Sequence, residues 1–428
     1  MKKNFKFVAL AMLAMTTAFT SCDDPNNGGD PETGDKELKG DLTTDLTLEA
    51  NTTYELTGEF YVKDGVTLTI EEGVKIIAQD VEDCPFILIE QGGKIEAVGT
   101  ASNPIVMTSE IDKAGAWGGL HICGYAPVNT SDSKSEVGSK PYGGTIVGDN
   151  SGTIKYVRLE NTGFSYSADQ ECNGISFYGV GNGTTVSYVQ AYHGTDDGLE
   201  FFGGTVNIDH IVVTSVSDDS YDWTDGWVGC GQFLVAYQDA KVTGSKVDYD
   251  CDCLMECDNQ GDNPIASPMS HPTLANVTLI GNNSSSKKNG VNLKAGTEIS
   301  LYNAIITGKD AAISFKKDDN AVTNYSSGNS IISGVNINNS DLYLTWSETV
   351  DGTKTTVWGA DNSLTNKFVA EANNMISQAF TPENKYAGIV DGGVSLPAVA
   401  DSNFSFEATS YKGAVDPSND WTAGWTRQ

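Results

Sequence analysis

The chain is 428 residues long and carries 57 acidic against 26 basic side chains, a formal net charge of −31. So acidic a surface repels phosphate backbones and anionic bilayers and attracts cations, which excludes nucleic acid as a partner. The length exceeds what one compact core usually takes up, yet it is ordinary for a solenoid, whose core grows by stacking.

Residues 1–21 read as a secretory signal: Lys2, Lys3 and Lys6, an apolar run from Phe7 to about Met15, then small residues leading to Cys22. The run is too short to span a bilayer. Cys22 at the cleavage point resembles the bacterial lipobox, in which that thiol takes diacylglycerol and becomes the first mature residue. Phe19 and Ser21 depart from the usual pattern, and a secreted protein with an accidental first cysteine is the alternative. Residues 22–43, opening CDDPNNGGDPETGD, predict a flexible acidic tether. Acids just after the cysteine are similar to the surface-export signal of some Gram-negative lipoproteins. The expected location is therefore the outer membrane, lipid-anchored and facing outward, with secreted or periplasm-facing placement as the alternative.

From Thr44 on, short β-rich runs such as YELTGEFYV, VTLTIEEGVKII and FILIEQGGKIEAVG alternate with Gly, Asn and Asp turns. Period-two alternation over short runs predicts strands, and helical spacing with caps is almost absent. Ile70 to Ile89 and Ile76 to Ile95 are both 19 residues, which suggests a coil of near twenty. Repeats of this length are too short for propeller blades and predict an all-β, right-handed parallel β-helix over residues 44–340. Segment 129–151 breaks the rhythm and predicts an inserted loop. Asn276, Asn303 and Asn329 each precede an apolar pair or triplet, as in asparagine ladders that satisfy turn backbone groups. Residues 341–428 are expected to hold the final coils and a C-terminal cap, with the Trp pair of DWTAGW (420–425) covering the open core.

After Cys22 come Cys84, Cys123, Cys172, Cys230, Cys251, Cys253 and Cys257. The odd number leaves at least one unpaired. CDCLMEC (251–257) suggests a soft-metal cluster, but a buried apolar stack is the better reading, since cysteine packs as a small apolar residue. Cys230 lies 21 residues before Cys251, so a coil-to-coil ladder or disulfide is open.

Two boxes carry the chemistry. TDDGLEFFGG (195–204) and SDDSYDWTDG (217–226) align position by position 22 residues apart: Asp196 on Asp218, Asp197 on Asp219, Leu199 on Tyr221, Glu200 on Asp222, Phe201 on Trp223 and Gly204 on Gly226. Stacked coils lie about 4.8 Å apart. Two carboxylates at that distance repel by about 0.9 kcal/mol even in water. Calcium, which takes six to eight oxygens, relieves this by sitting between two rungs, whereas magnesium demands an octahedron. Asp196, Asp197, Glu200, Asp218, Asp219, Asp222 and Asp225 are the expected metal ligands. Alternatively, the aspartates are corner formers whose side chains accept backbone amides. Tyr192, Trp223 and Trp227 are candidate ligand-binding residues, as a platform for sugar rings, with core stacks as the alternative, since alternation buries about half of the aromatic residues here; His193, three residues before Asp196, is a further ligand-binding candidate within reach of the acidic face, with a strand-surface residue as the alternative.

WGGLHICGYAPVN, SGTIKYVRLENTG, the two boxes, SHPTLANVTLIGN and the terminal GAVDPSNDWTAGWT together resemble a set of exported bacterial right-handed parallel β-helix proteins and lipoproteins. The resemblance covers about residues 45–428 and departs from the pattern near 290–297, where Asn292 and Lys294 stand in place of a basic pair. It implies fold and export, with no established activity. The boxes are also similar to the Asp cluster of polyuronide-cleaving β-helix glycosidases. In an enzyme of that type Asp197, Asp218 and Asp219 would be catalytic. However, that family's His turn is Gly229-Cys230-Gly231 here and its Arg-x-Lys element is Asn292-x-Lys294. A pectate-lyase mechanism needs an Arg base, and the chain holds only Arg158 and Arg427. The expected function is thus cation-dependent binding or adhesion to a glycan or surface protein. A polysaccharide hydrolase or lyase, and an accessory lipoprotein of an outer-membrane uptake complex, are the alternatives.

Overall fold

The computed structural model describes residues 36–428 except 83, 132, 168–169, 283–288, 318, 348–358, 361 and 400–402. The signal segment, Cys22 and the first part of the tether lie outside the described residues. The tether is shorter than expected, because Glu37–Leu42 is already a strand, paired in parallel with Thr53–Val62. Leu38 is buried there, and the charged neighbours in ELKGDL are the exposed alternates of the same strand.

Residues 37–428 wind into a parallel β-helix, whose strands pair with those one coil away rather than with their chain neighbours. One sheet shows why the sequence does this. Ile87, Leu120, Ile175, Leu199, Tyr221, Met255, Val291, Ile313 and Leu344 stack as a buried inner column. Two residues along each strand, Phe177, Phe201 and Trp223 form the next inner column. Phe201 stacks on Phe177 at 5.1 Å and on Trp227 at 3.9 Å between ring centroids. The residue between the two inner columns points outward: Leu88, His121, Ser176, Glu200, Asp222, Glu256, Asn292, Ser314 and Thr345 follow one another. This alternation is the pleat.

The 22-residue register of the boxes is the real coil register, with Leu199 on Tyr221, Glu200 on Asp222 and Phe201 on Trp223. The 19-residue spacing is not. Ile70 pairs with Ala97 and Ile76 with Met107, so near the N-terminus that spacing steps between sheets within a coil.

A second set of longer strands, Gly152–Glu160, Thr185–Tyr192, Asn207–Thr214, Cys230–Tyr237, Thr273–Ile280 and Ser300–Thr307, forms the other flank. Each bends at a residue with left-handed backbone: Tyr156, Tyr188, His210, Phe233, Asn276 and Asn303 have φ between 50° and 58°. Such φ values are uncommon for residues other than glycine, and their repetition in register marks a corner shared by six coils. Tyr156 stacks on Tyr188 at 4.4 Å and Tyr188 on His210 at 4.3 Å. Asn276 and Asn303 continue the corner and bond backbone groups of the C-terminal segment, at Gly413 and Val394. Asn329 is exposed and takes no part in the corner.

Helix α1 (Ala321–Ser327) adds Ala321 and Tyr325 to the core beside Ala311–Lys316, and helix α2 (Asn362–Ala370) packs on the last strand of that sheet, Leu342–Ser347, and covers the far end of the core through Leu364 and Phe368. The terminal tryptophans do not cover it. Trp421 and Trp425 lie on the flank, edge-on to Tyr156, Tyr188 and His210, because the aromatic corner offers them a groove of matching chemistry. The inserted loop lies over the first sheet, where Val137 and Tyr142 pack against Phe86, Leu88, Tyr178 and Phe202.

Candidate functional site

The turn before each strand of the first sheet repeats a hydrogen-bond pattern from coil to coil. Asn173 Oδ1 accepts the Asp197 amide at 3.2 Å, Asp197 Oδ1 accepts the Asp219 amide at 2.8 Å, and Asp219 Oδ1 accepts the Cys253 amide at 2.6 Å. One oxygen of each aspartate therefore serves a backbone amide of the next coil. Just beyond this turn, Glu200, Asp222 and Glu256 stack in the outward column.

These two rows and their neighbours enclose a cavity of about 220 Å³ whose lining is acidic throughout: Glu136, Glu171, Asp196, Asp197, Glu200, Asp218, Asp219, Asp222, Asp252 and Glu256. Within it Asp196, Asp197 and Asp218 present carboxylate oxygens all within 4.8 Å of one another, as do Asp197, Glu200 and Asp222, and again Asp219, Asp222 and Glu256. The three groups share Asp197 and Asp222, so they form a continuous row. Asn173 donates to Glu200 at 2.6 Å, and Asn292 to Glu256 at 3.1 Å. Asp222 Oδ1 is buried with no hydrogen-bond partner among the described residues. Lys294 stands at one end, bonded to Glu256 and 3.6 Å from Asp258.

The electrostatics follow from crowding. Burial first, then Glu171 and Asp218, push the Asp196 carboxyl up to about 8. Burial and the neighbouring carboxylates hold Asp197, Glu200, Asp219 and Asp222 well above the ordinary range. Burial raises Asp258 to about 7 against the pull of Lys294. Burial lowers Lys294, but Asp258 and Glu256 outweigh it and keep the ammonium charged. At an effective dielectric of 20, a pair of carboxylates about 4.8 Å apart costs about 3.5 kcal/mol, so this row binds either protons or cations.

A scan against family models matches residues 40–426 to the pectate-lyase-like β-helix domain. The chain belongs to that family. Searches of curated proteins and of solved structures each returned no match. A pectate-lyase-like β-helix therefore sets the scaffold, and the acidic cavity on its first sheet is the feature to be explained.

Six of the seven expected metal ligands line this cavity. Asp225 does not: it lies beyond the strand, where Tyr142 of the inserted loop donates to it at 3.2 Å. Trp223 and Trp227 are 0% and 1% exposed, so they are core stacks and closed to a ligand. Tyr192 and His193 lie on the other side of the turn, their rings 3.8 Å apart. The seven described cysteines are all buried and none is in a disulfide, and Cys230 stacks on Thr273 rather than near Cys251. Sequence reasoning missed Glu136, Glu171, Asp252 and Glu256. For two of them the signal was present: DCLME (252–256) repeats the spacing of DDGLE (196–200) and DDSYD (218–222), with a cysteine in place of the second aspartate.

Proposed function

We propose that this pectate-lyase-like β-helix binds a divalent cation of calcium size in the acidic cavity and, through it, a carbohydrate. The observation that carries the reading is the row of carboxylates from three successive coils, sharing Asp197 and Asp222, with a buried Asp222 oxygen left unpartnered. Oxygens about 2.4 Å from calcium lie about 4.8 Å apart across the ion, so each carboxylate group is compact enough to share one. Asp196, Asp197, Glu200, Asp218, Asp219, Asp222 and Glu256 would hold it. The ion would supply charge neutralisation and open coordination positions for sugar hydroxyls or carboxylates. The family description and the absence of apolar lining support a polar, sugar-like ligand.

The test is the melting temperature of the mature domain in EDTA and in millimolar calcium, beside Asp197→Asn/Asp219→Asn. A calcium-dependent rise in the parent that is absent from the double variant supports the cation site. Equal melting in EDTA and calcium for the parent overturns it. Retention on a polysaccharide matrix in calcium and release by EDTA then tests the carbohydrate part.

A second reading, a polysaccharide hydrolase or lyase, is favoured by one observation. Burial raises the Asp196 carboxyl to about 8, so near neutral pH it holds a proton of the kind a general acid gives to a leaving oxygen. Release of reducing ends or unsaturated products, lost in Asp219→Asn with melting unchanged, would establish it. For location, lipidation at Cys22 and outward display on the outer membrane are proposed from the sequence alone; radiolabelled palmitate incorporation lost in Cys22→Ser tests the anchor. Among the described residues no helix is long and apolar enough to cross a membrane.

A further inference from the structure

Two of the buried thiols border one gap. Ile87 and Ile175 both stack on Leu120, from the coils before and after it. Cys84 stands three residues before Ile87 and Cys172 three residues before Ile175, so they share one corner position on either side of the Leu120 coil. The same position in that middle coil is Trp117, whose indole turns into the core and is 0% exposed. Gly118 follows it and has no side chain to fill the outer space. A Cβ there would lie 3.2 Å from Cys172 Sγ and 3.3 Å from Pro85 O, and Cys84 Sγ is 3.7 Å from that same carbonyl. Glycine thus keeps open the space between the two sulfurs.

Tyr166 covers the gap from outside. It belongs to the short antiparallel pair Ser165–Ser167 and Gln170–Glu171, it is 42% exposed, and its hydroxyl donates to Cys84 O at 3.2 Å. Both thiols bear on that hydroxyl, and after burial Cys84 is the group that most raises the Cys172 thiol. For Cys123, Cys251, Cys253 and Cys257 the main charged neighbours are carboxylates and lysines rather than a second thiol.

We propose that Cys84 and Cys172 close a disulfide across Gly118 in the exported protein. The proposal rests on the export inferred from residues 1–21, since disulfides persist in oxidising compartments. The oxidant is a small-molecule or protein disulfide of that compartment. One thiolate attacks it, the other displaces the resulting mixed disulfide, and the oxidant leaves as two thiols that carry the two protons. Burial pushes the Cys84 thiol up to about 12 and raises Cys172 as well, so exchange is slow once the chain is folded, and the bond forms during folding or on long exposure at alkaline pH. Cys172 follows Cys84 by 88 residues, a span that includes the inserted loop. A crosslink closing so long a loop restricts the unfolded chain strongly. It also pins the cavity wall, because Cys172 lies between Glu171, which lines the acidic cavity, and Asn173, which bonds Glu200 and the Asp197 amide.

The test is a peptide map of the full chain, exported by a Gram-negative host with its own signal segment, alkylated with N-ethylmaleimide in denaturant and digested without reductant. Expected is a species joining the Cys84 and Cys172 peptides, lighter than their sum by two hydrogens and separated by reduction. The untreated parent should melt several degrees above the same protein held in dithiothreitol, a comparison that needs no variant to fold, and Cys84→Ala/Cys172→Ala should melt alike with and without the reductant. Reduced protein incubated with oxidised glutathione at alkaline pH separates pairing from export. A Cys84–Cys172 bond there but not in the exported chain overturns its occurrence on export while upholding the pairing. Alkylation of both residues in both preparations, or a bond from either to another cysteine, overturns the pairing itself.

Discussion

Asp197 accepts the backbone amide of Asp219 at 2.8 Å, and Asp219 passes the same bond on to Cys253. The two uses that the sequence left open for these aspartates, corner former and cavity carboxylate, thus fall on the same side chains. Their contributions have opposite sign without a cation, because the hydrogen bond stabilises the stack while the crowded charge opposes it. Asp197→Asn keeps an acceptor oxygen and removes the charge, so in EDTA at pH 8 its melting temperature should rise above the parent's. Asp197→Ala leaves the Asp219 amide buried without an acceptor, and should cost roughly 1–3 kcal/mol. Thermal unfolding followed by circular dichroism separates the two. Equal destabilisation by both would mean that charge repulsion at this position is already relieved.

The same crowding sets a pH dependence. Asp196 is raised to about 8 and Glu136 and Asp258 to about 7, chiefly by burial, and Asp197, Glu200, Asp219 and Asp222 also move upward. Unfolded Asp and Glu titrate near about 3.9 and 4.3. Because the folded values are the higher ones, the folded state binds more protons, and this contribution is complete below pH of about 4 and lost as pH rises through about 7 to 8. In EDTA the denaturation midpoint should therefore fall between pH 5 and 8.5. The fall should be shallower in Asp197→Asn/Asp219→Asn. A parent midpoint that climbs over this range would contradict the account.

Phe201 and Trp227 lie face to face at 3.9 Å with planes 10° apart, deep in the core. Trp227 also donates its indole N–H to Val206 O at 3.1 Å. Replacing either by alanine removes a large ring from a sealed stack, and should cost about 3–5 kcal/mol. Urea unfolding of Phe201→Ala and Trp227→Ala measures this. If Trp227 were instead a sugar platform, its loss would weaken carbohydrate retention while leaving the midpoint in place.

The coil register at the boxes was legible in the sequence because the outward acids and the inward Leu, Phe, Tyr and Trp repeat at an equal interval of 22 residues. Glu256 escaped notice because the next coil is longer: Met255 follows its partner Tyr221 by 34 residues, and three cysteines draw attention from the acids between them. The corner at Tyr156, Tyr188, His210 and Phe233 left no readable mark, since left-handed backbone is a property of the bend and not of these residue types. Glu136 and Glu171 reach the cavity from the inserted loop and from a two-stranded antiparallel pair, Ser165–Ser167 with Gln170–Glu171, contacts set by tertiary packing alone. The two uses of DWT-x-GW differ for a related reason: the first has a coil on either side and is buried in the stack, whereas the second finds only the flank.

That flank placement makes the last residues part of the fold. Trp425 packs edge-on against Tyr156 and Tyr188, Arg158 donates to Trp425 O at 2.8 Å, and Gln190 exchanges hydrogen bonds with the backbone of Arg427 at 2.7 and 2.9 Å. Glu160, almost wholly buried, keeps only Arg158 as an ion-pair partner among the described residues once Arg427 is gone. Truncation after Asp420 should therefore lower the melting temperature by several degrees. The loss should be local. Hydrogen exchange should quicken in Gly152–Glu160 and Thr185–Tyr192, the strands under the tail, while helix α2 keeps its protection. If the terminal tryptophans sealed the open end of the solenoid, the order would be reversed, with Leu364 and Phe368 losing protection first.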